Sequence, residues 1–146
     1  MNSIDEIWAA DLIDMQAFSK DNNGIKYLIT VIDIFSKFVW IVPLKRKTGQ
    51  EVANAFSLIL KERRPSKTCV DRGRKFYNKD VQKLFELYST ENEEKCCVIE
   101  RFNRTIKKKM FKYFSANKTR KYVDVLDLLV EQYNNTIHFI DKNDPG

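Results

Sequence analysis

Between Lys26 and Leu44 two apolar segments rich in β-branched and aromatic residues, KYLITVIDIF and FVWIVPL, follow each other with only Ser36 and Lys37 between them. So short a break joins antiparallel strands, because a parallel connection needs a dozen residues or more. Ile7 to Met15, an apolar stretch carrying two acids, reads as the strand before them. Asp21, Asn22, Asn23 and Gly24 then supply the turn. A three-stranded antiparallel meander is expected to open the fold. Pro43 sits near the end of its third strand, where a missing N–H does little harm.

After the meander the period changes. Thr48 with Glu51 three residues on forms a capping box, and Val52, Ala55, Phe56, Ile59 and Leu60 recur at helical spacing, an apolar face for the sheet. That helix should stop before Pro65. Thr68 to Asp71 reads as a short strand, Asn78 as the cap of a second helix with Val81, Leu84 and Phe85 inward, and Leu87 to Thr90 as a very short final strand. From about Glu94 to Phe114 the pattern is helical, with Ile99, Phe102, Ile106, Met110 and Phe114 as its core stripe. A last helix, from about Thr119 to Asn134, would bury Val123, Leu126, Val130 and Tyr133. Helices between strands make the chain α/β with a mixed sheet. With no repeat or linker, residues 1–146 are read as one domain, long enough for a proper core.

The net charge of +6 is unevenly placed. Met1 to Leu60 is nearly neutral, whereas Arg101 to Val123 holds nine bases and no acid. A segregated basic block is the footprint of a nucleic-acid binder. Within it Glu100, Arg104, Lys107 and Lys108 share one face beside the core stripe, since i and i+4 stack on a helix. Trp8, Trp40 and the Phe and Tyr residues mostly fit core positions, and none receives a stacking role. Three cysteines, Cys96 and Cys97 adjacent, fit reduced thiols rather than a disulfide framework. The lone His138 rules out a Cys/His zinc finger. No run approaches the ~20 apolar residues of a membrane span, and MNSIDEIW lacks the pattern of a signal peptide. An intracellular, nuclear location is expected.

Three carboxylates stand apart. Asp11 lies in WAADLIDM among residues that look buried, where an acid must be paired or coordinate metal. Asp71 sits at a strand end in CVDRGRKF, before Gly73, and Glu100 opens the basic stretch of VIERFNRTIKKKM. Taken singly each has an ordinary reading: a salt-bridged or capping Asp, a turn Asp, and a Glu favoured by the helix dipole. Asp14 and Asp33 compete with Asp11, although Asp14 should point to the opposite face of a regular strand. Together, Asp11, Asp71 and Glu100 beside a cationic surface suit hard divalent cations and a polyanionic substrate.

The co-linear motifs WAADLIDM, GIKYLITVIDIFSKFVWIVPLKRKTGQEV, VDRGRKFYN and STENEEKCCVIERFNRTIKKKM resemble the integrase catalytic core of retroviruses and retroelements. They look most like the version carried by Polinton (Maverick) DNA transposons. The resemblance implies an RNase H-like fold, a five-stranded mixed sheet flanked by helices with its first three strands antiparallel and its fifth shortened. It maps the three catalytic, metal-binding acids onto Asp11, Asp71 and Glu100, with Mg²⁺ (or Mn²⁺) as cofactor. It places Asn103, Arg104 and Lys107 in positions that line the site and contact DNA, with Lys108 on the same basic face. The implied reaction is two-metal DNA end processing and strand transfer, and the implied partners are DNA and further copies of the chain. The chain advances only 29 residues from Asp71 to Glu100, fewer than the family usually has, and Arg72 and Lys75 bring cations next to the second acid. These departures fit an alternative, a catalytically impaired, transposon-derived domain kept as a nucleic-acid-binding or protein-interaction module. An RNase H-like nuclease would share the acids without the IERFNRT motif.

Overall fold

The computed structural model describes residues 7–46, 48–63, 65, 67–70, 87–89 and 93–143. Strands β1 (Ile7–Asp14), β2 (Tyr27–Asp33), β3 (Val39–Leu44), β4 (Lys67–Val70) and β5 (Leu87–Ser89) form one sheet in the order β3-β2-β1-β4-β5. β2 runs antiparallel to both β1 and β3, while β4 runs parallel to β1 and to β5. Helix α1 (Gly49–Leu60) makes the crossover from β3 to β4, which run in the same direction, and α2 (Glu93–Asn117) and α3 (Val123–Asn143) complete the fold. The helix expected from Asn78, with Val81, Leu84 and Phe85, lies outside the described residues, as does Asp71.

Side chains on β1 alternate between two cores. Trp8, Ala10 and Leu12 join Ile29, Val31 and Trp40 under Val52, Ala55, Phe56, Ile59 and Leu60 of α1. Ala9 and Ile13 face the other way, with Leu28, Ile32, Val39 and Cys69, against Ile99, Phe102, Ile106 and Met110 of α2 and Leu126 of α3. Sheet strands covered on both faces read as near-continuous apolar runs, as Tyr27–Asp33 does. Asp11, two residues from Ala9 and from Ile13, belongs to the α2 face.

Several boundaries are set by side chains rather than by propensity. β1 ends at Asp14, whose carboxylate accepts from Gln16 N at 2.9 Å and Gln16 Nε2 at 3.0 Å and turns the chain into an unanticipated 3₁₀ helix, Gln16–Asp21. Asp33 ends β2 in the same manner, accepting from Phe35 N at 3.0 Å. It is wholly buried and paired with Arg63 at 2.9 Å, so this acid is structural and not a rival of Asp11. The Arg63 guanidinium also lies over the Phe38 and Trp40 rings. At the start of α1 the Thr48 side chain accepts from Glu51 N at 3.3 Å.

The last helix begins later than its pattern suggests and extends to Asn143. Its first amides are capped from a distance: Asn22, buried in the turn before β2, accepts from Tyr122 N at 2.8 Å and Val123 N at 3.1 Å. Its amide nitrogen donates to Phe18 O at 2.8 Å and Arg120 O at 3.0 Å. Farther along, Asn134 bonds both main-chain groups of Val39 on the outer edge of β3, at 2.9 Å and 3.0 Å.

Tyr122 is fully buried, and its hydroxyl has no hydrogen-bond partner among the described residues. Burial pushes this phenol up to about 12 from the ordinary 10.0. A raised folded value leaves stability untouched below the unfolded pKa and removes it as pH climbs from 10 towards 12, because only the unfolded chain readily ionises there. Tyr122→Phe is therefore expected to cost less than about 1 kcal/mol at pH 7 and to shift alkaline unfolding to higher pH. Denaturant melts across pH 7 to about 11.5 check this, and a loss of about 2 kcal/mol or more at neutral pH would mean that the hydroxyl is bonded.

Candidate functional site

Asp11 stands in the middle of β1, directly opposite Thr30 of β2. Its carboxylate is held at both oxygens: Leu12 N donates to Oδ1 at 2.8 Å and Asn103 Nδ2 donates to Oδ2 at 3.2 Å. Asn103 is itself fixed, because the Thr30 hydroxyl donates to its Oδ1 at 2.9 Å. The same hydroxyl lies 3.4 Å from Asp11 O, beyond the ordinary O–H···O range. The Asp11 carboxylate, which only accepts, sets which end of the Asn103 amide faces it, and the Thr30 hydroxyl donates to the other end. Thr30 is completely buried and Asn103 is 8% exposed, so the bridge sits inside the α2 face of the sheet.

Asn103, expected to line the site and contact DNA, turns inward with both ends of its amide engaged, one on Asp11 and the other on Thr30. Thr30 was not anticipated. Its one signal in the sequence is a hydroxyl in the centre of an otherwise apolar strand.

Glu100 lies one helical turn before Asn103 on α2 and is exposed. The inward Asn103 places that stretch of α2 over the strand that carries Asp11. Arg104 and Lys108 are exposed and Lys107 is half-buried, continuing from Glu100 along the helix as the i, i+4 spacing requires. Among the described residues no three His, Cys, Asp or Glu form a metal-holding group. The expected set includes Asp71, which lies outside the described residues. The donors that are described, the Asp11 and Glu100 carboxylates, are the hard oxygen ligands that Mg²⁺ prefers. No described helix is long and apolar enough to cross a membrane.

A model of the integrase core domain family matches residues 2–93, a span that contains Asp11 and Asp71 and ends before Glu100. A transposon-derived protein of Caenorhabditis elegans is 39% identical over 131 residues, 85% of this chain and 46% of that protein. The Pol polyprotein of Radiation murine leukemia virus is 29% identical over 122 residues, 77% of this chain and 21% of the polyprotein. The chain thus spans less than half the length of these two relatives. Among solved structures, the HTLV-2 integrase catalytic core domain in complex with magnesium, a dimeric form, is similar with a TM-score of 0.70 at 19% identity, over 88% of this chain and 86% of that one. A chain of the simian T-cell lymphotropic virus intasome in complex with PP2A regulatory subunit B56 gamma gives 0.68 at 23% identity, over 86% and 47%. Likeness at these identities speaks for the fold: the mixed sheet with its flanking helices is RNase H-like.

Thr30→Val removes the donor to Asn103 Oδ1 and leaves a buried acceptor, which costs about 1–3 kcal/mol. Asn103→Asp sets a second carboxylate against Asp11, and like charges at that distance raise the pKa of the pair. Stability of this variant is then greatest where the pair holds a proton and falls as pH rises through the raised value. Urea melts at pH 5 and pH 8 should show Asn103→Asp recovering towards wild type at the lower pH; equal losses at both would break the proposed contact with Asp11.

Proposed function

Because the chain belongs to the integrase core domain family, we propose that it acts as a DNA integrase core, a polynucleotidyl transferase that processes DNA ends and transfers strands. The Asp11–Asn103–Thr30 bridge is the observation that carries this reading. It fixes one acid in the central strand and sets over it the helix that bears Glu100 and the basic face. Asp71 follows β4 directly in sequence, and the offset that pairs Ala9 with Cys69 is also the offset between Asp11 and Asp71.

Asp11, Asp71 and Glu100 are the residues proposed to hold Mg²⁺, or Mn²⁺ in its place. Bound there, two such ions would activate the attacking oxygen and stabilise the leaving one in an in-line displacement. The chain's own residues do the rest. Asn103 holds the Asp11 carboxylate in one orientation, which limits the rotamers it must give up on binding a cation. Arg104, Lys107 and Lys108 receive backbone phosphates, contacts that set register and orientation without reading sequence. Action on DNA inside the nucleus and assembly with further copies of the chain belong to the same proposal, in keeping with the dimeric and intasome settings named for its structural neighbours.

Asp11→Asn keeps the size of the side chain and the bond from Leu12 N and removes the charge, but it sets an NH2 against Asn103 Nδ2, so the Asn103 amide has to turn over. It should lower Mg²⁺-dependent joining of DNA ends by 100-fold or more while DNA affinity in EDTA stays unchanged; such magnitudes are ordinary when a charge-stabilising group is lost. Joining that survives this change, or Glu100→Gln, sinks the assigned role. Wild-type protein that binds DNA and joins none with either metal would favour the impaired module. Replacing Arg104 and Lys107 together with Ala should flatten the salt dependence of DNA affinity by roughly one to two phosphate contacts, and an unchanged slope would refute this DNA face.

A further inference from the structure

Along the stripe that Glu100 begins, the cations give way to a ring. Phe111 follows Glu100 by eleven residues, close to three turns, and is 46% exposed. A phenylalanine left about half exposed in a helix whose neighbours Lys108 and Lys112 are charged has forgone part of the ~1.5–3 kcal/mol of full burial. Nor is it loosely held. Its ring packs 6.1 Å from Phe18 and 5.8 Å from Phe114, and those two lie 5.3 Å apart. The Arg120 guanidinium lies 4.6 Å from the Phe18 ring centroid and donates to Ala17 O at 3.0 Å, closing the cluster from outside. Around Phe111 the open surface of α2 carries Lys108 and Lys112 with Ser115 and Ala116.

We propose that Phe111, braced by Phe18 and Phe114, is a stacking platform for an unpaired nucleotide at a DNA end. The inference rests on the reading that the basic face of α2 takes DNA, and it names the form of DNA taken. Duplex phosphates need only the cations, because pairs inside a duplex offer no free face to a ring. An aromatic ring held rigid among lysines suits a base whose π-face is uncovered and whose phosphates the lysines neutralise. The absence of any acid from Arg101 to Val123 disfavours a basic partner and favours a polyanion. Phe111 lies about 16 Å along the helix from Glu100, roughly five stacked nucleotides at 3.4 Å each. An unpaired strand of about that length would reach the ring.

The test measures affinity of the whole chain in EDTA, so that no chemistry is needed, for three labelled DNAs: a blunt duplex, the same duplex with a five-nucleotide overhang, and that overhang made abasic. Wild type should prefer the overhang with bases. Phe111→Ala should weaken that DNA about ten-fold, the order expected for losing one base–aromatic stack, and leave the blunt duplex within two-fold. Phe111→Trp should retain the preference and show tryptophan quenching by the overhang, against the constant signal of buried Trp8 and Trp40. Equal wild-type affinity for all three DNAs, or equal weakening of blunt and overhang by Phe111→Ala, overturns the platform and leaves the basic face standing. No binding to any of them overturns the DNA reading itself. A change from dimer to monomer in Phe111→Ala on sedimentation would assign the ring to a contact between copies and overturn the platform.

Discussion

One buried amide holds the working parts together. Asn103 spans from Thr30 on β2 to Asp11 on β1, so the register of two strands and the rotation of α2 are fixed by the same two hydrogen bonds. A helix packed on a sheet by apolar contacts alone, here Ile99, Phe102, Ile106 and Met110, tolerates small sliding where its side chains repack. A two-ended amide between fixed donors and acceptors does not. Because leaving either end unpaired in the core carries the full desolvation cost, α2 has one rotational setting, and with it Glu100 and the cations that follow.

A second amide does comparable work at the far end of the chain. Asn22 takes the place of a local N-cap for α3 and ties it to the turn between β1 and β2. The two asparagines pin the two long helices to the same antiparallel meander. The face of the sheet they cover is the one on which Asp11 lies, whereas α1 covers the opposite face with apolar residues. Each face thus combines apolar packing with directional bonds: Asn103 and Asn22 on the α2 and α3 side, the Asp33–Arg63 pair on the α1 side.

What the sequence discloses divides along the same line. The meander, α1 with its Thr48 cap and the apolar stripe of α2 follow from periods of 2 and 3.6, which are local properties. The start of α3 does not, because its cap comes from Asn22, about a hundred residues earlier in the chain. The 3₁₀ helix after Asp14 was hidden because its trigger is a carboxylate bonding its own chain two residues on. Asn103 sits by spacing at the margin between the core stripe and the basic face, and only the buried hydroxyl of Thr30 decides which way it turns. Asp11 was legible as an oddity for the opposite reason: an acid flanked by Ala9, Ala10, Leu12 and Ile13 is conspicuous whatever its partners. Phe111 has a residue type that pattern reading assigns to the core, and its exposure depends on where α2 ends over Phe18.

The outer edge of β3 bears on how this molecule survives crowding. Val39 and Pro43 are four residues apart on one strand, so their main-chain groups point the same way, outward from β2. At Val39 both groups are taken by Asn134, and at Pro43 there is no N–H to offer. A passing β-strand meets an interrupted ladder there, with a helix side chain at one end and an imino ring at the other. Growth of the sheet by docking strand on strand, the first step towards amyloid-like stacking, is thereby disfavoured at that border.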